Sequence, residues 1–384
     1  MTEREIWITG VGIVSSAGEG VDAHIEALTA GAAPPVDDVT FAPYSVHPVV
    51  EVAFERQIPK KADQRQMEAW QKLGVYAAGL ALDAAGLKGA AGRLGRLEMI
   101  VAAGGGERDY AVDGQILTEM PSHPNPGVML NERLMSDIRP TMFLAQLSNL
   151  LAGNISIVHG VTGGSRTFMG EEQAGVDALR IAEARIRAGQ ADSFLVGGSY
   201  NAERPDVLLI YAMADRLWKE GGFRPVAQRE QAGGGFILGS GAAFIVVEAA
   251  DVAAARGATP LARLDAVDAG MVQRRPGAVK QSLEALWDRV APQFGQSGGV
   301  VFSGATGAGG VTAEELEVIA ARAPGARTWF TGDLFGHLVE PQFPAGVGLA
   351  AAALARGLFD EAVVTGVGHR RGEGVARLSR VSSR

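Results

Sequence analysis

The sequence predicts an α/β protein in which helices and sheets stack in layers and two similar halves repeat the plan. Three observations carry this. Strand-like apolar runs end repeatedly in glycine: residues 99–103 lead into Gly104-Gly105-Gly106, and 194–196 into Gly197-Gly198. Between them, segments such as 66–86 and 171–188 carry apolar residues at helical spacing. The end of the chain also echoes its start, since Val363-Val364-Thr365-Gly366-Val367-Gly368 mirrors Trp7-Ile8-Thr9-Gly10-Val11-Gly12. Elements alternating in this way bury their apolar faces by stacking helices on sheets.

Taken in order, residues 6–9 form a strand that enters Gly10-Val11-Gly12. A dinucleotide fingerprint needs G-x-G-x-x-G and then a helix; GVGIVSSAG lacks both, so a buried strand is the plainer reading. Residues 66–86 form a helix closed by Gly86. The polar stretch 107–140, with Pro121, Pro124, Pro126 and Pro140, reads as a surface excursion with short helical pieces. Residues 143–151 return to a helical pattern and 155–158 read as a short strand. A turn at Gly163-Gly164 feeds a strand over 166–169, and a helix follows over 171–188. Its first half is apolar on nearly all faces, which marks a central buried helix, and Gly189 ends it. Residues 194–196 form the next strand. Residues 233–248 read as two strands around a Gly-Ser-Gly turn, and 249–257 as a short helix. Helices then follow over 279–290, 313–323 and 346–358, with strands over 300–303 and 362–366.

Composition narrows the function. The chain has 384 residues, 47% hydrophobic and 20% charged, which supports a sizeable core and excludes global disorder. That length suits two to three domains or one large duplicated unit. The 52 glycines are about twice the usual share. A net charge of −8 argues against a general nucleic-acid or anionic-membrane binder. Zero cysteines exclude a disulfide scaffold, a thiolate metal site and a cysteine nucleophile. The start MTEREIWITG is acidic where a signal peptide is basic and then apolar, and no apolar run reaches about 18 residues. A soluble, cytoplasmic protein with no membrane span is expected.

Few chemical signatures are present. No two of His24, His47, His123, His159, His337 and His369 have metal-ligand spacing, so no metal site is expected. Hydrolase elbows and phosphate loops are absent. Glu171-Glu172 open the buried helix. They are either acids favoured by the helix dipole or groups aimed into a cavity beside the helix N-terminus. His337 lies in a glycine-bounded loop before a helix, and Arg370-Arg371 read as a basic turn after Gly368.

Several pieces, in order and spacing, resemble the β-ketoacyl-acyl-carrier-protein synthases of the thiolase fold. They are Ile8-Thr9-Gly10-Val11-Gly12-Ile13-Val14, then Ile186-Arg187-Ala188-Gly189-Gln190-Ala191-Asp192 with Gly197-Gly198, then Arg224-Pro225, Gly235-Phe236-Ile237-Leu238-Gly239-Ser240-Gly241-Ala242 and Gly336-His337. The resemblance implies two βαβαβαββ halves, 1–250 with inserted loops and 251–384, in a five-layered α-β-α-β-α arrangement. The active-site motifs depart from the family. Counting back from 186–192 puts Glu172 at the cysteine position, with Gly175 on the motif glycine. The first histidine, in a His-Gly-Thr-x-Thr segment, becomes Ser303. The second is retained as His337, and the lysine five residues before it becomes Gly332. The glycine-alanine run after it becomes Glu340-Pro341-Gln342-Phe343. The Gly-Phe-Gly-Gly-Thr-Asn loop becomes Gly368-His369-Arg370-Arg371-Gly372-Glu373.

Condensation holds the acyl chain on a thiolate and stabilises developing charge with two imidazoles. Here a carboxylate replaces the thiol and one imidazole candidate, His337, remains. The resemblance therefore implies a chain-length-factor type of subunit. Such a subunit forms a heterodimer with a Cys-containing synthase, and acyl carrier protein brings the phosphopantetheine arm; no cofactor of its own is implied. Met142 and Phe143 match the region that walls the partner's acyl pocket. Lys60, Lys61 and Arg65 offer either a basic patch for the acidic carrier protein or, as the plainer reading, a solvated helix start. The segments QIPKKADQRQMEAWQ, AAGGGERD, LNERLM and HGVTGGSRTFMGEEQAG further resemble the shorter of two synthase-like proteins in the system that makes the very-long-chain acyl group of lipid A. Two alternatives stay open. One is altered chemistry, such as malonyl decarboxylation by Glu172 and His337, since glutamine at the cysteine position goes with decarboxylation in this family. The other is a homodimeric acyl-binding protein.

Overall fold

The computed structural model describes residues 4–295 and 299–381. Among them the strands are β1 (Ile6–Ser15), β2 (Gly18–Glu19), β3 (Val46–His47), β4 (Glu98–Ala102), β5 (Ser165–Phe168), β6 (Ser193–Tyr200), β7 (Leu238–Gly239), β8 (Gly241–Ala249), β9 (Ala262–Gly270), β10 (Val300–Ser303), β11 (Arg327–Phe330), β12 (Glu361–Val367) and β13 (Glu373–Ser379). One path of hydrogen-bonded neighbours runs β11-β10-β12-β13-β9-β1-β8-β6-β4-β5, with β2 paired to β1. β3 and β7 form a separate parallel pair. Strands from residues 6–249 lie on one side of the β1–β9 junction, and those from residues 262–379 on the other.

Alternation along the strands sorts side chains into layers. Val300 and Phe302 of β10 join the central core with Val364 of β12, while Val301 and Val363 face the opposite way. The central core holds two helices, Glu172–Arg187 and Gln342–Ala355, packed between the two groups of strands. Helices Ala69–Ala84 and Leu150–His159 cover the outer face of the first group, and Ala278–Val290 and Val311–Arg322 that of the second. The order is helix, sheet, helix, sheet, helix. The central helix keeps the expected position, running from Glu172 to Arg187 and followed by Gly189 at φ 67°.

β1 continues through its glycines without a turn. They serve packing instead: a Cβ at Gly12 would overlap the carbonyl oxygen of Ala77, and one at Gly10 that of Ala81. The helix Ala69–Ala84 therefore lies backbone against backbone on β1. It starts at Ala69, capped reciprocally by Glu68 and Gln71, rather than at 66.

Two local expectations are overturned. Residues 155–158 are not a strand but part of the helix Leu150–His159; a four-residue apolar run does not distinguish the two. The helical pattern over 143–151 breaks after the short helix Pro140–Ala145. The two strands expected within 233–248 are present as β7 and β8 on either side of Ser240, though they do not pair with each other: β7 pairs with β3 whereas β8 joins β1 and β6. The last central helix also begins earlier than 346, at Gln342. No helix of the described residues is long and apolar enough to cross a membrane.

Gly12→Ala should force the helix off β1. A loss of about 2–3 kcal/mol of stability is expected, read as a lowered urea midpoint; an unchanged midpoint would refute this contact.

Candidate functional site

The site is built where three segments meet in the central layer. The first is the start of the helix Glu172–Arg187. Gly170 at φ 149° and Glu171 at φ 58° make a sharp turn before it, an uncommon conformation for a glutamate. That turn sends the Glu172 side chain inward, where only 4% of it is exposed. The second segment, 337–341, touches this helix through backbone: a Cβ at Gly175 would overlap the carbonyl oxygen of Glu340. Val339 at φ 59° is the other strained residue of this junction. The third segment is the turn after β12, where the Gly368 amide donates to the Gly372 carbonyl at 2.9 Å.

Three side chains converge there. His337 Nε2 donates to Glu172 Oε1 at 2.8 Å, and His369 Nδ1 donates to the same oxygen at 2.8 Å. Both imidazoles are buried. His337 is held by its backbone, whose amide donates to the Ile237 carbonyl and whose carbonyl accepts from the Gly239 amide. Phe236 packs against both imidazole rings, and Tyr211 against that of His369. Burial alone would push the Glu172 carboxyl up. The hydrogen bonds from His337 and His369, with the charge they bring, outweigh it and hold the carboxyl well below the usual range. Glu172 thus sits as a carboxylate whose Oε1 accepts from both imidazoles.

This corrects the expectation of a single remaining imidazole. His369, from the turn after β12, supplies the second. Ser303 takes no part in the triad's hydrogen bonding. Its hydroxyl donates to Glu315 Oε1 at 2.8 Å, as does that of Thr365 at 2.6 Å. Burial nevertheless pushes the Glu315 carboxyl up, against these two hydrogen bonds.

Beside the triad opens a cavity of about 1000 Å³, whose wall includes Glu171, Tyr200, Tyr211, Glu340, His369 and Arg371. Glu340 belongs to the segment that departs from the family's glycine-alanine run, yet its role was not foreseen. It is 3% exposed, and its Oε2 has no hydrogen-bond partner. Burial, with the charges of Glu172 and Glu171 adding to it, pushes the carboxyl up to about 8. Gly104 admits it, since a Cβ there would sit 3.2 Å from its Cδ. Arg370 is largely exposed and 4.0 Å from Glu171. Met142 and Phe143 part company: Met142 is buried in its own chain, whereas Phe143 is 56% exposed. Lys60, Lys61 and Arg65 are exposed around the short helix Lys61–Gln66. The structure brings Glu172, His337, His369, Glu171 and Glu340 into one neighbourhood.

Comparison with known proteins accords with this architecture. The family model of the β-ketoacyl synthase N-terminal domain matches residues 3–253. The 3-oxoacyl-[acyl-carrier-protein] synthase 2 of Vibrio cholerae is 26% identical over 265 residues, covering 67% of this chain and 61% of that protein. The match thus spans about three fifths of that curated relative. The ishigamide ketosynthase/chain length factor superposes with a TM-score of 0.81 at 19% identity, covering 99% of this chain and 100% of that one. A type II polyketide synthase acyl-carrier protein in complex with its ketosynthase bound to the hexaketide gives 0.76 at 17%, with the same coverage. The chain belongs to the β-ketoacyl synthase family and has its thiolase-like fold.

Removing one member of the triad should cost more than neutralising its centre. His337→Ala leaves a buried charge short of a partner, so a loss of about 3–5 kcal/mol is expected. Glu172→Gln keeps an acceptor and is expected to cost about 1–3 kcal/mol. Urea unfolding of both variants checks the order; a larger loss for Glu172→Gln would contradict the assignment of an ionised carboxylate.

Proposed function

We propose that the chain is the non-condensing half of a synthase pair: a chain-length-factor type subunit that joins a Cys-containing β-ketoacyl synthase acting on acyl carrier protein. The observation that carries this is Glu172 at the family's cysteine position, tied by one oxygen to two imidazoles. A carboxylate there cannot hold an acyl chain as a thioester, and an acyl anhydride would hydrolyse. The imidazoles that would stabilise charge on a reacting acyl group are spent on Glu172.

Pairing has support on the surface. β5 ends the strand path and has a neighbour on one side only. An open edge of this kind is normally covered or blunted. Phe143, Leu144, Leu147, Ile157 and Met169 are all exposed, more apolar surface than a solitary chain usually shows. The ishigamide ketosynthase/chain length factor provides a precedent of shape at 19% identity. In the pair, Phe143 would reach toward the partner's acyl pocket, while Met142 would support it from inside. Arg370 and Arg371, with Lys60, Lys61 and Arg65, would meet an acidic carrier protein that presents its phosphopantetheine arm. Halves 1–250 and 251–384 would form one rigid protomer of a cytoplasmic enzyme pair. The products would be very-long-chain acyl groups for lipid A, the reading its segment pattern favours. The rival decarboxylation by Glu172 and His337 is disfavoured, because an anionic Glu172 repels a malonyl carboxylate.

Two outcomes are expected. The isolated chain gives no condensation with acyl- and malonyl-carrier protein, while co-expression with its synthase yields a stable heterodimer by native mass measurement; turnover by the isolated chain would sink the proposal. Within the active complex, Phe143→Ala lengthens the acyl products, read by mass spectrometry of the released chains. An unchanged product profile removes Phe143 from the pocket wall.

A further inference from the structure

We propose that Glu172, His337 and His369 form a binding site for one divalent first-row metal ion, of the Zn²⁺ class. The donor atoms of these three buried residues all lie within 4.8 Å of one another. Two imidazole nitrogens and one carboxylate are a donor set suited to Zn²⁺, Co²⁺, Mn²⁺ or Fe²⁺, and the absence of cysteine leaves no thiolate to shift it towards softer ions. The donors come from three separate segments, each fixed by backbone contacts in the central layer, so the set is prearranged.

Charge and unmet hydrogen bonds point the same way. Glu172 Oε2 and Glu340 Oε2 are buried with no partner. Glu340 lines the cavity that also reaches Glu171 and His369. Three carboxyl groups thus crowd one region, and the charges of Glu171 and Glu172 bear on Glu340. A buried oxygen without a donor is costly, and a cation at the triad would give the Glu172 carboxylate the partner its Oε2 lacks. The geometry needs little change. Both imidazole nitrogens now sit 2.8 Å from the same oxygen. A tetrahedral ion with bonds of about 2.0–2.1 Å spaces its donors by roughly 3.3 Å. Lengthening the two nitrogen–oxygen separations by about half an ångström, with the two nitrogens already within 4.8 Å of each other, exchanges two hydrogen bonds for three metal bonds. The cavity of about 1000 Å³ reaches the triad at His369.

The inference is independent of pairing with a synthase, and its test uses no partner. The full chain is stripped with a chelator and titrated with Co²⁺, followed by visible d–d absorption. Bound Zn²⁺ is counted after gel filtration. Expected are about one ion per chain, a low-coordinate Co²⁺ spectrum, and a melting temperature that rises with Zn²⁺. Glu172→Gln and His369→Ala, each checked for native near-ultraviolet dichroism, should weaken binding by on the order of 100-fold. His123→Ala, at an exposed histidine, should leave it intact. Substoichiometric binding by the unaltered chain would overturn the proposal without recourse to any variant. Equal affinity in the folded His369→Ala chain would overturn it as well, placing the ion elsewhere.

Discussion

A buried carboxylate between two imidazoles is the constraint on which the centre of this molecule depends. Moving a charge out of water costs several kcal/mol even after relaxation, and only well-placed donors offset it. Glu172 meets that condition with Nε2 of His337 and Nδ1 of His369 on one oxygen. Each donor in turn fixes backbone. His337 is pinned between the Ile237 carbonyl and the Gly239 amide. His369 stands on a turn closed by Gly368 and Gly372, where a Cβ at Gly368 would overlap the Arg371 carbonyl and approach Glu172 Oε2 to 3.1 Å. The strained Glu171 and Val339 occur at this junction because the close approach of helix and loop over-determines their conformation.

The scaffold makes that convergence possible by bringing chain into backbone contact without side chains between. Gly10 and Gly12 do so for β1 and its covering helix, and Gly175 for the central helix against the 337–341 loop. At these positions glycine is a packing feature and not a sign of flexible linkers. Glu172 comes from one group of strands and helices, His337 and His369 from the other. The triad exists only when both groups close on the central layer.

The layered fold and the central helix were legible because long periodic segments are robust to local error. The helix read over 171–188 runs from Glu172 to Arg187. Short segments were not: the apolar run 155–158 fits strand and helix equally, and only the neighbouring Leu151 and Ile155 in the outer core decide for the helix. In the site, Glu172 could be found by counting from a motif, and His337 by its flanking glycine. His369 could not be placed, since its partner lies 197 residues earlier and no spacing rule spans that separation. Its motif looked like a basic turn, and the histidine before the two arginines was the informative residue. Ser303 was located as a substitution, but its attachment to Glu315 follows from the packing of the strands.

The kind of replacement separates a decayed site from a rebuilt one. A small apolar residue at this position would fill the space with no charge to satisfy. A glutamate demands donors, and two are supplied, one by a histidine in a loop that departs from the family pattern. A second carboxyl, Glu340, enters the same region without a partner, although an unpaired buried polar group weakens the fold. These residues are mutually dependent: His369 without Glu172 would lose its acceptor, and Glu172 without His369 would lose half of its compensation. A centre that keeps such a set at a cost in stability is held together by the same polar groups that burden it.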